Sequence, residues 1–231
     1  MRLAATEYQR YLDVLRSLAS QDWNRSTDCP DWDVRAMATH VLGMAEMAAS
    51  IRENRRQTRA AMRRGGVFVH SLTALQVAER ATMRPDEIVH RFAEVAPRAA
   101  RGRRRTPGFI RRRQMPVTQP VGDADEPWTL GFLIDTILTR DTWMHRVDTT
   151  RATSRSMHLT GDHDGVLVAD VVGEWSERHG QSCTLHLTGP AGGRWSFGQD
   201  GPGLDLDAVE FCRIVSHRAP AQGLLRVEVP F

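Results

Sequence analysis

The sequence predicts an α+β protein, with a four-helix bundle over residues 1–155 and a small α/β domain over 156–231. Three observations lead to this division. Before Arg155, long stretches carry apolar residues at the three-to-four spacing of amphipathic helices. After it, the texture changes to short alternating runs separated by turn formers. Between them, residues 129–152 place Ile134, Leu138, Asp141, His145 and Asp148 along one side of a single helix. The lower half of that stripe is polar and faces inward. Unpaired ionisable groups are costly to bury, and a metal ion is one of the few partners that satisfies all three.

The first predicted helix spans 3–20, with Leu3, Tyr8, Tyr11, Leu12, Leu15 and Leu18 as its apolar stripe. A turn-rich connection, QDWNRSTDCPDW, follows, and either Asp31 or Asp33 can cap the next helix. That second helix, 33–63, carries Val34, Met37, Val41, Met44 and Met47 at core spacing, with His40 among them. The Gly65 and Gly66 pair ends it. A third helical region, 71–104, is broken near Pro85 and presents Leu72, Leu75, Val77, Ile88, Val89, Phe92 and Val95. Residues 101–127 read as a long loop, and 128–152 as the fourth helix. Four such helices make a bundle, where inward side chains build metal sites.

In the tail, 162–179 predicts a helix with Val166, Ala169, Val172 and Trp175 inward. Strands are expected at 183–189 and 193–199 about a turn at 190–192, a short capped helix at 205–216, and a closing strand in LLRVEVPF.

With 41% hydrophobic and 26% charged residues, the composition is that of an ordinary water-soluble globular chain. No apolar run is long enough to span a membrane, and the N-terminus lacks the apolar core of a signal peptide, so a cytoplasmic location is expected. All 31 basic residues are arginine, most simply a consequence of a GC-rich genome. Eight of them fall within 97–114 and six within 52–64. Such a run can grip phosphates, which keeps an arginine-rich nucleic-acid-binding protein as an alternative. The run lacks interleaved aromatics beyond Phe109, and no base-reading motif accompanies it, so nucleic acid is not the expected partner. Cys29, Cys183 and Cys212 form no CxxC pair and support neither a disulfide framework nor a thiolate zinc site.

His40, Asp141 and His145 are the candidate metal ligands. Two imidazoles and a carboxylate suit a divalent first-row metal, zinc being the commonest, and three protein ligands leave a coordination position open. An acid followed four residues on by histidine is by itself a common surface pair. The words around the ligands are more specific. STDCPDWDVRAMATHVLG, RDTWMHRVD and the tail DAVEFCRIVSHR with LLRVEVPF resemble the mycothiol-dependent maleylpyruvate isomerase family across nearly the whole chain.

That resemblance implies a DinB-like bundle whose metal is held by a histidine of helix two and an acid-x-x-x-His pair of helix four. These positions are His40, Asp141 and His145, with aspartate standing where the family's isomerase has glutamate. It also implies mycothiol as thiol cosubstrate and a small electrophilic substrate bearing carboxylates. The reaction is then isomerisation through thiolate addition to a double bond, or S-transfer. Arg218 matches an arginine frequent in the family's C-terminal segment and is the candidate substrate clamp. Asp148 is a candidate to hold the His145 tautomer. Trp32 and Trp143 are expected to pack the bundle end. A bundle that binds metal and ligand without turnover is the other alternative, and the chain can be a monomer or a homodimer.

Overall fold

A computed structural model describes residues 2–231. The chain divides into two compact units. One comprises the residues up to Gln119 with Asp125–Ser156, the other Pro120–Ala124 with Met157–Phe231. None of the helices among the described residues is long and apolar enough to cross a membrane.

Four helices form the bundle of the first unit: α1 (Arg2–Ser17), α2 (Val34–Ala49), α5 (Pro85–Arg105) and α8 (Leu138–Ala152). Their inward faces give one core, in which Tyr8, Tyr11, Leu12, Leu15, Trp23, Val41, Ile88 and Phe92 are all buried. Tyr8 and Tyr11 both meet the Phe92 ring edge-on, at centroid distances of 6.0 and 5.7 Å.

The second predicted helix is two helices. α2 stops at Ala49, and Ser50 is extended at φ −147° and ψ 120°; its side chain caps α3 (Ile51–Arg64) by accepting the Glu53 N–H. The hydroxyl competes for backbone hydrogen bonds, and an arginine-rich continuation offers little apolar face to hold a longer rod in the core. At the other end of α2 the cap is Asp33, which accepts the Ala36 N–H at 2.7 Å. Between the glycine pair and Pro85 lies α4 (Phe68–Glu79), and α5 then begins with Pro85 in its first turn.

Much of the expected 101–127 loop is ordered structure. α5 passes through Pro97 and reaches Arg105; a single turn, α6 (Gly108–Arg111), follows, then the hairpin strands β1 (Gln119–Val121) and β2 (Ala124–Glu126). Two arginines of the basic run are engaged internally. Arg103 is buried, donating to Ile134 O at 2.8 Å, to Tyr8 Oη at 3.3 Å and to Thr139 Oγ1 at 2.5 Å. Arg111 donates to the Thr106 and Arg103 carbonyls at 3.0 and 2.6 Å and pairs with Asp135. Sequence pattern alone scores these side chains as solvated charge. In the fold they satisfy carbonyls at a helix end and a helix irregularity.

That irregularity lies in the fourth helix. It starts as α7 (Leu130–Phe132), opens into a π turn over Leu133–Ile137, and continues as α8. A π turn inserts an extra residue and rotates everything before it. Ile134, expected inward, is therefore only half-buried, and Ile137 is buried in its place. From Leu138 onward the predicted stripe holds.

In the second unit, strand β3 (Cys183–Thr188) lies between β4 (Gly193–Phe197), antiparallel to it, and β5 (Gly203–Asp207), parallel to it. Cys183, Leu185 and Leu187 alternate into the core, as period two requires. Helices α9 (Val166–His179) and α10 (Ala208–Val215) belong to the same unit. A second π turn, Gly161–Gly165, precedes α9; Val172 and Trp175 are buried as expected, together with Leu167, Val168 and Val171, whereas Ala169 is half-buried and Val166, at the start of the helix, is exposed.

One expectation for this tail fails, and the short capped helix expected at 205–216 forms with its start moved to Ala208. Residues 203–207 form the third strand, and Asp207 at its end caps α10 by accepting the Val209 and Glu210 N–H groups. LLRVEVPF is not a strand. It folds into a 3-10 turn at Gly223–Arg226 and an irregular end tied by the Val229 N–H to Val215 O at 2.9 Å. Alternation in this segment is broken by Pro230, which has no N–H for a ladder. Cys183 and Cys212 are buried and form no disulfide.

The closest backbone approach in the bundle is at Gly102 on α5, where an added Cβ would stand 2.1 Å from the Ala48 carbonyl oxygen of α2. Gly102→Ala should force these helices apart and lower stability by about 1–3 kcal/mol, as overpacking of a filled core does. Urea denaturation of the full chain measures this, and an unchanged midpoint would contradict the packing described.

Candidate metal centre

α2 and α8 each turn one imidazole toward the other inside the bundle. The His40 and His145 rings lie 5.2 Å apart and nearly perpendicular, at 87°. Both are buried, and the Nε2 atoms of both approach the same oxygen, Asp141 Oδ1, at 3.5 and 3.3 Å respectively. Asp141 and His145 are one helical turn apart, the spacing that stacks two side chains on one face. The three residues that spacing singled out are thus brought together.

The other nitrogen of each ring is held as well. His145 Nδ1 lies 3.2 Å from Asp148 Oδ2, and His40 Nδ1 lies 2.8 Å from Gln76 Oε1. An oxygen acceptor on Nδ1 keeps the proton there and leaves the Nε2 lone pair for a metal, as partners of metal-binding histidines do. Asp148 therefore takes the role expected for it. Gln76 was missed, because α4 reads as a simple apolar stripe and a glutamine within one is easily passed over. The signal was a long amide side chain between Leu72 and Leu75 on one side and Val77 on the other.

Do these residues fit a metal? Ligands held at about 2.0–2.2 Å on a tetrahedron stand about 3.3–3.6 Å from one another. The two nitrogen approaches to Asp141, at 3.5 and 3.3 Å, match that edge length. Ligand atoms of all three residues fall within 4.8 Å of each other. The donor set of two nitrogens and one oxygen is the zinc-type set.

Trp32 covers the pair, its ring 5.0 Å from that of His40 and 5.9 Å from that of His145. It lines the site rather than merely closing the bundle end, whereas Trp143 is buried. A tight loop presents Trp32: the Thr27 N–H donates to Trp32 O at 3.1 Å and the Trp32 N–H to Cys29 O at 2.9 Å. Cys29, on the same loop, is half-buried, with its sulfur within 4.8 Å of ligand atoms of His145 and Asp148. The flanking Arg146 points away and forms a buried bidentate pair with Glu7 at 2.6 and 3.0 Å. Arg140 is buried too.

A family profile described as the mycothiol maleylpyruvate isomerase N-terminal domain matches residues 4–149, more than half of the chain and all three candidate ligands. The chain belongs to this family. Two solved structures support the fold of this mycothiol maleylpyruvate isomerase family member. The crystal structure of the mycothiol-dependent maleylpyruvate isomerase is 16% identical, with a TM-score of 0.59, over 94% of this chain and 88% of that one. A point mutant of that enzyme gives a TM-score of 0.58 at the same identity and coverage. The likeness extends the α+β architecture past the profile into the tail. No curated protein sequence matches the chain.

Without a metal, the family member's site is strongly coupled. Burial alone would raise the Asp141 carboxyl, but the charges of His145 and His40 outweigh it and hold Asp141 well below the usual carboxylate range. For His145, burial would lower the value; Asp141 and Asp148 overcome it and push the imidazole up to about 9. A base whose folded-state value is raised stabilises the fold fully below its unfolded value and loses that stabilisation as pH rises through the folded one. Metal-free protein should therefore lose stability as pH rises from the ordinary imidazole value of 6.5 to about 9, and lose no more of it above that. Urea midpoints of His145→Gln should lack that decline, and a parallel decline in both proteins would contradict the pairing.

Proposed function

We propose that the chain is a metal-dependent, mycothiol-using isomerase or thiol transferase acting on a small electrophilic substrate that bears carboxylates. The observation that carries this reading is the convergence of His40 Nε2 and His145 Nε2 on Asp141, each ring backed by an acceptor at Nδ1. Family membership supplies the class of chemistry.

His40, Asp141 and His145 would hold a divalent cation, zinc fitting the donor set best. When bound, such a cation supplies Lewis acidity that favours the thiolate form of a thiol at neutral pH. The chain's own residues do the rest. Asp148 and Gln76 fix the two imidazoles, so no reorganisation is needed when ligands arrive. Trp32 shields the rings from bulk water, which strengthens every electrostatic interaction beneath it.

For the substrate carboxylate we assign Arg218, on the resemblance of its segment to the family. It is half-buried in the turn after α10, with its N–H donating to Arg213 O at 2.8 Å and its own carbonyl accepting from Arg213 Nη2 at 3.2 Å. These two hydrogen bonds tie its backbone to α10.

Purified protein should carry about one zinc per chain, and His40→Ala and His145→Ala should each abolish it. Metal analysis finding equal occupancy in wild type and both variants would refute the ligand set. In cobalt-substituted protein, mycothiol should add a sulfur-to-metal charge-transfer band. An unchanged spectrum at millimolar thiol would refute the thiol role. Arg218→Ala should lower kcat/KM on the order of 10–100-fold for a dicarboxylic electrophile, the worth of one charged hydrogen-bond partner, with metal content unchanged.

A further inference from the structure

Behind His40, away from Asp141, a line of hydrogen bonds runs through the bundle to a carboxylate at the far side of α3. His40 Nδ1 meets Gln76 Oε1 at 2.8 Å, the Gln76 amide donates to Gln57 Oε1 at 2.9 Å, and the Gln57 amide donates to Glu53 Oε1 at 2.9 Å and Gly43 O at 3.3 Å. Gln57 and Gln76 are both fully buried. We propose that Glu53, acting through Gln57 and Gln76 as positioning residues, fixes the His40 proton on Nδ1 and so leaves Nε2 as the nitrogen facing Asp141.

The direction of the line follows from its end. A backbone carbonyl can only accept, and an ionised carboxylate can only accept. The Glu53 carboxyl is kept ionised chiefly by hydrogen bonds from Arg56, which lower it to about 2. The Gln57 NH2 must therefore face Glu53 and Gly43, which turns its oxygen toward Gln76. That oxygen needs a donor, so Gln76 presents its NH2, whose remaining reach ends on the Met44 and Met47 sulfurs at 3.0 and 3.4 Å. The Gln76 oxygen is then left facing His40, and a lone pair on Nδ1 would oppose it. Reversing either amide sets like groups against each other where no water can compensate.

Two further features keep the line in place. Arg56 bridges Glu53 on its own helix and Glu79 on α4, with contacts of 2.6–2.7 Å to Glu79. Gly43 makes room for it, because an added Cβ would stand 2.7 Å from Gln76 Cγ.

The purpose of this assignment rests on the proposed metal role of His40, but the assignment itself is measurable without metal. In nitrogen-15 spectra of the metal-free full chain, with His40→Ala to assign the signals, His40 should show a protonated Nδ1 and, when neutral, an unprotonated Nε2. Glu53→Gln, which removes the charged and shorter of the two acceptors that orient the Gln57 amide and leaves only the 3.3 Å contact to Gly43 O, should raise the population of the other tautomer and weaken zinc binding about tenfold; Gln76→Leu should weaken it on the order of 10–100-fold. Gln76→Glu keeps the acceptor and should recover most of that affinity. A neutral His40 protonated at Nε2 in wild type would overturn the proposal, as would unchanged tautomer and affinity in Glu53→Gln. If Gln76→Leu fails to fold, Glu53→Gln at the less buried end of the line decides. Failure of wild type to bind zinc would refute the metal reading and leave the tautomer result to judge this one.

Discussion

The first unit depends on one arrangement: two buried imidazoles sharing a carboxylate between α2 and α8. Three ionisable groups in a helical interior are tolerable only if each polar atom is matched. The matching explains choices far from the three residues themselves. Asp148 is fully buried because His145 Nδ1 needs an acceptor. Gln76 sits in an apolar face of α4 because His40 Nδ1 needs one too. Gly43 lacks a side chain so that Gln76 can reach. Polar requirements at the centre thus propagate outward into packing.

The same logic accounts for the arginines of the bundle. Arg146 is spent on buried Glu7, and Arg103 on the carbonyl of Ile134 in the π turn. A planar guanidinium with five donors can close several gaps at once, which a compact ammonium cannot. Within the run at 97–114, Arg103 and Arg111 close such gaps, while the other six arginines are exposed. The break at Ser50 has a related effect. By ending α2 and starting α3, it lets α3 contribute Glu53 and Gln57, the end of the line that reaches His40.

Much of this was legible in the sequence. Helix-period apolar stripes located α1, α2, α5 and α8, and the inward polar stripe on the fourth helix located Asp141 and His145 by spacing. His40 was found as the polar member of an apolar face. The failures have definite physical causes. The π turn in the fourth helix changed the phase of the residues before Leu138, leaving Ile134 half-buried and Ile137 buried. A π turn leaves no compositional mark, because it is imposed by what the helix packs against. The terminal strand failed because the segment opens in a 3-10 turn at Gly223–Arg226 and Pro230 near its end has no N–H to give a ladder.

By itself the sequence determined the four core helices, the three ligand candidates and the family, since these rest on periodicity, local spacing and contiguous words. Only the tertiary structure decided which nitrogen of each histidine faces Asp141. It also decided which residues hold the opposite nitrogens and that Trp32 lies over both rings. Asp148 is near His145 in sequence, but Gln76 is 36 residues from His40 and Glu53 two links beyond Gln76. Hydrogen bonds of that kind join side chains through space across separate helices, so no local pattern encodes them.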